Sequence, residues 1–381
     1  MPLRETLSNY WQKFQAELFP FLEEAFGPLT PSQQQLVVVL DWLQPEKLLP
    51  HWHGAPGRPV SERAALARAF VAKAGLNLPT TAMLIERVQV DKTLRRLCGW
   101  ANRSQVPSEA TFSRAFAEFA ASELPTRLHE ALVRQTHGER LVGHIARDST
   151  AIESREKPLR PQQSEAPAPA KKRGRPKKDE PRPEKQLRRI EKQAAGMGLP
   201  EMLADLPRHC DVGVKRNAKG FQVKWTGYKL HIDTADGDIP ASCILTSASV
   251  HDSQVAIPLG LMTAARLTSC YDLMDSAYDV PEIREHSRSL GHVPIIDINP
   301  RRNAELKQHL AQESKRQNLI GHTPPEVLRY NERSGAERVN GNLKDNHGGR
   351  TVRVRGPDKV MCHLMFGIAF IAVAQIMRLV T

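Results

Sequence analysis

The chain has 381 residues, with 54 Lys+Arg against 42 Asp+Glu and a formal charge of +12, and is long enough for two or three domains with a real core. The positive surplus points to a polyanionic partner, nucleic acid first and anionic lipid second, and charge alone does not choose between them. Five scattered cysteines (Cys98, Cys210, Cys243, Cys270 and Cys362) with no C-x-x-C pair argue against a disulfide framework and a structural zinc site, and fit a reducing cytoplasm.

The opening stretch, "MPLRETLSNYWQKFQAELF", is amphipathic and carries acids, without the apolar run and cleavage site of a signal peptide. Residues 1–135 read as a helical domain. "TPSQQQLVVVLDWL" has a cap at Thr30 and Pro31 in the first helical position. "SERAALARAFVAKAG" and "TTAMLIERVQVDKTLRRLCGW" follow with apolar residues three and four apart. "PSEATFSRAFAEFAASEL" starts at Pro107 or Ser108 and sets Phe112, Phe116 and Phe119 on one stripe. A helix ending near Trp100, a polar turn and this next helix resemble a helix-turn-helix unit, a pattern that any packed bundle shares.

Residues 155–192 break with their surroundings. They hold seven prolines between Pro158 and Pro183, 14 Lys+Arg and 6 Asp+Glu, so +8 of the chain's +12 falls in 38 residues. So little apolar surface does not offset the entropy of ordering, and a disordered basic insertion is expected. Its "KKRGRPKK" core contains Arg173-Gly174-Arg175-Pro176, which resembles an AT-hook, whose arginines enter the minor groove of A·T-rich DNA. A solvated linker touching phosphates without preference explains the same residues.

Around this insertion the pattern becomes α/β. "ERLVGHIARDST" reads as a strand leading to Asp148. "FQVKWTGYKLHIDT" and "IPASCILTSASV" read as two strands joined by the turn "ADGD". A helix at "DSQVAIPLGLMTAARL", a strand ending near Asp275, a helix at "VPEIREHSRSLG" and a strand at "HVPIIDINP" follow. This order suggests a mixed sheet with helices on its faces. The apolar run 360–380 is nearly long enough to span a membrane, but His363, Gln375 and Arg378 interrupt it, and a buried core helix is expected.

Chemistry in such a sheet gathers where strands end. Asp148 and Asp275 each follow an apolar strand, and two such strands side by side would bring their carboxylates together. Like charges that close need a cation between them, and Mg²⁺ prefers oxygen ligands. In "YNERSGAERVNGNLK" Tyr330, Arg333, Glu337 and Lys344 fall within a helical sector of roughly 60°. The stripe is either a solvated, salt-bridged face or part of a site that handles phosphate. Glu337 would complete an acidic site for two ions about 3.5–4 Å apart, or act as the partner of Ser334 in a capping box. Whether 323–346 is one helix or two is open, with start signals at both Thr323 and Ser334.

The stretch 330–344 fits Y-x2-R-x3-E-x6-K at every position and resembles the signature of DDE transposases of bacterial insertion sequences. "IARDST", "LMDSAYDVPEI" and "TVRVRGPDKVMCHLMFGIAFIAVA" are similar to that family's first-Asp, second-Asp and closing blocks, so the likeness covers 139–381 less the insertion. It implies an α/β fold: an all-helical, DNA-binding domain at 1–135, then an RNase H-like mixed-sheet catalytic domain at 136–381 interrupted by 155–192. It makes Asp148, Asp275 and Glu337 the metal-binding triad for Mg²⁺, for which Mn²⁺ substitutes, and Tyr330, Arg333 and Lys344 contacts to DNA near the scissile phosphate. It also implies cleavage at transposon ends and strand transfer by a cytoplasmic, nucleoid-associated homodimer on paired ends of double-stranded DNA, with no membrane partner. Two departures stand out: Ser276-Ala277 replaces a frequent Lys-Gly pair, and the 61 residues between Asp275 and Glu337 hold only a helix, a strand and a basic loop. The rival expectations are a stand-alone nuclease of the same fold and a non-catalytic, transposase-derived DNA-binding regulator.

Overall fold

The computed structural model describes residues 3–50, 62–158, 187–216 and 220–379. The chain starts with helices α1 (Leu3–Lys13), α2 (Phe19–Phe26), α3 (Pro31–Leu43), α4 (Arg63–Gly75), α5 (Thr81–Val90), α6 (Lys92–Cys98), α7 (Glu109–Ala121) and α8 (Leu124–His137). Thr30 starts α3 through a full capping box: its Oγ1 accepts the Gln33 N–H at 3.3 Å, and Gln33 Oε1 accepts the Thr30 N–H at 3.0 Å. On α7 the expected stripe of Phe112, Phe116 and Phe119 is buried against Phe70, with Trp100 also on Phe112.

Strand β1 (Leu141–Glu153) then enters a six-stranded mixed sheet with β2 (Asp211–Arg216), β3 (Gln222–Ala235), β4 (Ile239–Ser247), β5 (Thr268–Met274) and β6 (Val293–Ile296). β1 is antiparallel to β3 and parallel to β5, and β5 is parallel to β6. β2 pairs with the first half of β3 and β4 with its second half, end to end along the edge away from β1. The β3–β4 turn lies at "ADGD" as expected, with Gly237 and Asp238 at positive φ.

Helices α9 (Arg189–Ala194), α10 (Leu199–Asp205), α11 (Ala256–Ala264) and α12 (Pro281–Ser289) surround a core on one face formed by Ile190, Met202, Ile257, Met274, Tyr278 and Ile283. The stretch expected to lack structure is therefore helical from Arg189 onward, because Ile190 and Gln193 find buried places beside α11. Its central part, including Arg173 and Arg175, lies outside the described residues. The loop expected after β6 is instead a 17-residue helix, α13 (Ala304–Ile320), capped by the Asn303 side chain. Helices α14 (Pro325–Tyr330) and α15 (Ser334–Asn346), joined by a 3-10 turn at Asn331–Arg333, settle the choice between one helix and two. Arg333, not Ser334, occupies the cap of α15, and the Ser334 hydroxyl accepts from Arg338 at 2.7 Å.

The apolar run near the C-terminus forms α16 (Pro357–Arg378), long and apolar enough to cross a membrane but 89% buried inside the protein over its most apolar window. One side (Phe366, Phe370, Val373, Ile376) packs with the N-terminal helices. The other (Val360, Leu364, Ile368, Ile371) packs with Tyr228, Leu230 and Ile232 of β3 and with Val339 and Leu343 of α15. A Cβ at Gly367 would stand 2.7 Å from the His347 carbonyl oxygen, so glycine here lets the end of α15 lie close against α16. That contact sets where α15 crosses the sheet.

Candidate active site

The site is built at the junction of β1 and β5. Their parallel pairing ends at Arg147↔Met274, so Asp148 and Asp275 each stand one residue beyond the last shared rung. Asp275 follows β5 as expected. Asp148 does not end β1: the strand continues to Glu153 because β3 stays paired with it to Gly227 after β5 has turned away. An acid inside a strand is thus left open on one edge only, where its neighbour stops.

Both aspartates are half-buried. Burial raises the pKa of Asp148 above the ordinary carboxylate value, and the negative charge of Asp275 adds to that; the Ser149 N–H and the cations Arg333 and Lys215 pull it down. Asp275 is raised by burial and by Asp252, against the Ala277 N–H, Arg333 and Lys215. The Ala277 N–H donates to Asp275 Oδ1 at 2.9 Å, which orients that carboxylate at the start of a short 3-10 turn. Two acids are therefore held close, facing cations from two different elements.

The second layer comes from α14, the 3-10 turn and α15. Tyr330 donates from its hydroxyl to Asp297 Oδ2 at 2.7 Å, and the Arg333 guanidinium lies 5.6 Å from the Tyr330 ring centre. Burial and the bond to Asp297 push the Tyr330 pKa up, so the phenol stays a donor at neutral pH. Arg333 donates to Glu337 at 2.5 Å, and the Glu337 side chain is 58% exposed. Among the described residues no group of three or more His, Cys, Asp or Glu side chains stands close enough to hold a metal ion. The structure thus brings Asp148 and Asp275 together, leaves Glu337 on Arg333, and puts Lys344 two helical turns beyond Glu337. Burial, followed by the charges of Arg350 and Lys215, lowers the Lys344 pKa.

Three neighbours, Asn340, Lys215 and Lys229, were not singled out in the sequence. Asn340, one turn after Glu337, donates from Nδ2 to Asp148 Oδ2 at 3.0 Å. Lys215 on β2 acts electrostatically on both aspartates and on Lys344. Asp252 accepts from Lys229 at 3.0 Å and Ser149 at 2.9 Å; burial alone would raise its pKa, but His231 and Lys229 hold it low. Position in sequence gave no signal for Lys215 or Lys229, since both sit among other basic residues of alternating strands. On the face of β1 opposite Asp148, the face that also carries Ser149, Arg147 forks onto Asp233 at 2.7 and 2.8 Å, and Thr263 also donates to Asp233 at 2.7 Å.

The donor set suits a hard divalent cation. Two partly buried carboxylates whose like charges repel stand together, and the Asn340 amide donates to one of them. Asp148 and Asp275 would hold the ion, with Glu337 available once it leaves Arg333.

Residues 205–373 match the family model of the Transposase DDE domain, and residues 24–118 match that of a Transposase domain (DUF772). The first match takes in Asp275, Tyr330, Arg333, Glu337 and Lys344 and begins after Asp148. No curated protein and no solved structure matches the chain.

Proposed function

From the two transposase-domain matches, which support a DDE transposase of the insertion-sequence type, we propose that this chain cuts DNA at the ends of its own element and joins the freed ends to target DNA. The observation that carries the reading is the β1–β5 register, which sets Asp148 and Asp275 one residue beyond the last shared rung, where the charges of Arg333 and Lys215 act on both. Paired acids near two cations suit a phosphodiester better than a neutral substrate. A divalent metal ion, Mg²⁺ in this reading with Mn²⁺ as substitute, supplies charge stabilisation at the phosphate and a more acidic water.

The chain's own residues do the rest. Asp148 and Asp275 would hold the ion, and Glu337 would be free to join them where Arg333 pairs with a phosphate of the DNA end instead. Arg333 suits that exchange because its planar fork matches a phosphate as well as a carboxylate. Tyr330 donates to a neighbouring phosphate oxygen or stays on Asp297, and Lys344 steadies the strand farther along. Arg173 and Arg175 add minor-groove or phosphate contacts. The N-terminal helices recognise the end sequence, and two copies act on paired ends in the bacterial cytoplasm.

The test compares wild type with Asp148→Ala for Mg²⁺-dependent cutting of a labelled duplex carrying the element's end. Loss of cutting with binding retained supports the reading; equal cutting by both removes Asp148 from it. Joined products from a pre-cut end separate a transposase from a stand-alone nuclease. The Arg333–Glu337 ion pair favours one second reading, a DNA-binding regulator that no longer cuts. Strand transfer by the wild-type chain rules that out.

A further inference from the structure

Three faces of α15 meet three surroundings. Val339 and Leu343 are buried in the core shared with β3 and α16, while Glu337 and Arg338 are exposed. Asn340 is only 6% exposed, yet it is polar. Packing alone would place an apolar residue in that seam, because an amide taken from water without full hydrogen bonding destabilises the fold.

Among the described residues the amide has one hydrogen-bond partner, Asp148. Its orientation follows from chemistry: an ionised carboxylate only accepts, so the NH₂ end must face it, and the carbonyl end then points away. That carbonyl oxygen, Oδ1, is buried and has no hydrogen-bond partner among the described residues. The side chain is therefore poorly suited to stabilising the fold and well suited to fixing one carboxylate oxygen of Asp148. From β1 itself that carboxylate has the Ser149 N–H, and β5 has left its edge at this point.

We propose that Asn340 is a positioning residue of the reaction site, holding the Asp148 carboxylate toward Asp275 so that the two bind one divalent cation. The inference rests on the functional reading above, and it assigns to α15 a second contribution besides Glu337. Outer partners of metal-binding carboxylates are typically worth about 10–100-fold in affinity or rate.

The experiment uses the full chain and three variants: Asn340→Leu, which keeps volume and removes the donor; Asn340→His, which restores an N–H; and Asp148→Ala. Mn²⁺ affinity is measured without DNA by electron paramagnetic resonance, kcat and KM are measured on the labelled end, and thermal midpoints are recorded. Positioning predicts that Asn340→Leu binds Mn²⁺ about tenfold more weakly and loses about 10–100-fold in kcat with KM little changed, at an equal or higher thermal midpoint. Asn340→His recovers part of both losses. Unchanged Mn²⁺ affinity and kcat in Asn340→Leu overturn the inference, as does a loss matched by a fall in thermal midpoint that Asn340→His does not relieve. If Asp148→Ala cuts like wild type, the functional reading itself fails; if Asp148→Ala is inactive while Asn340→Leu is normal, only the role of Asn340 falls.

Discussion

The rung that precedes the two aspartates rests on a buried ion pair, and breaking it should be costly. Asp233 is fully buried, the Arg147 side chain is 4% exposed, and three hydrogen bonds of 2.7–2.8 Å converge on the Asp233 carboxylate. Asp233→Ala leaves the guanidinium in the interior without its counter-charge, a change worth about 3–5 kcal/mol. Spread over 381 residues at about 2.1 cal/mol/K of unfolding entropy each, that loss lowers the thermal midpoint by about 4–6 °C. Replacing both partners with Arg147→Met and Asp233→Leu removes the uncompensated charge and should restore stability to wild-type level or above. Calorimetry on wild type, both singles and the double gives the coupling directly. A drop below about 1 °C in Asp233→Ala, or a double variant as unstable as the single, would refute the argument that this pair is desolvated. End cutting should fall in the single variant, since Arg147 and Met274 are the last shared rung before Asp148 and Asp275.

Other outcomes follow from the same geometry. Arg333→Gln should weaken binding to a labelled DNA end and reduce the salt slope of log K by about 1, read by fluorescence anisotropy across a KCl series, while Mn²⁺ binding in the absence of DNA persists. Burial, aided by Arg266, lowers the His129 pKa to about 3; burial lowers those of His137 and His363 to about 4, aided by Arg140 and Lys73 respectively. Each stays neutral when folded, whereas the unfolded chain takes up a proton below about 6.5, so this stability is complete above that pH and lost as pH falls toward 3–4. Urea unfolding at stepped pH should show that acid limb, and His129→Gln, which can still donate to the Pro240 carbonyl now 2.9 Å from Nε2, should flatten it. Gly367→Ala should cost about 1–3 kcal/mol through the clash with the His347 carbonyl and should slow cutting by shifting α15, visible in a melting curve and the end-cleavage assay.

Much of the sheet was legible because its strands carry long apolar runs with clear turns, as at the β3–β4 hairpin. β2 was not, since "DVGVKR" is short, has a glycine under the Trp225 ring, and finds order only by pairing with β3. α13 was read as part of a basic loop because it has no buried residue and hence no apolar stripe to announce it; helix formers such as Ala, Glu, Leu, Lys and Gln sustain it instead. Asp275 could be placed from sequence. The place of Asp148 depended on where a non-adjacent strand stops, which only the register reveals. Asn340 was hidden for a related reason: a polar residue in a polar stretch gives no sign of burial until the helix is laid across the sheet. The Arg333–Glu337 contact was equally hidden within a stripe that could be a solvated face or a site, and in this structure the two residues serve each other.

The double-sided packing of α16 bears on how the protein comes into being. Phe70 and Phe112 on one flank and Leu230 and Ile232 on the other depend on cover that is translated after every other described element. A nascent chain stopped short of Pro357 exposes both greasy surfaces at once, a natural target for chaperones and proteases. Premature termination upstream of this helix should therefore leave no lingering half-protein able to occupy DNA ends without cutting them.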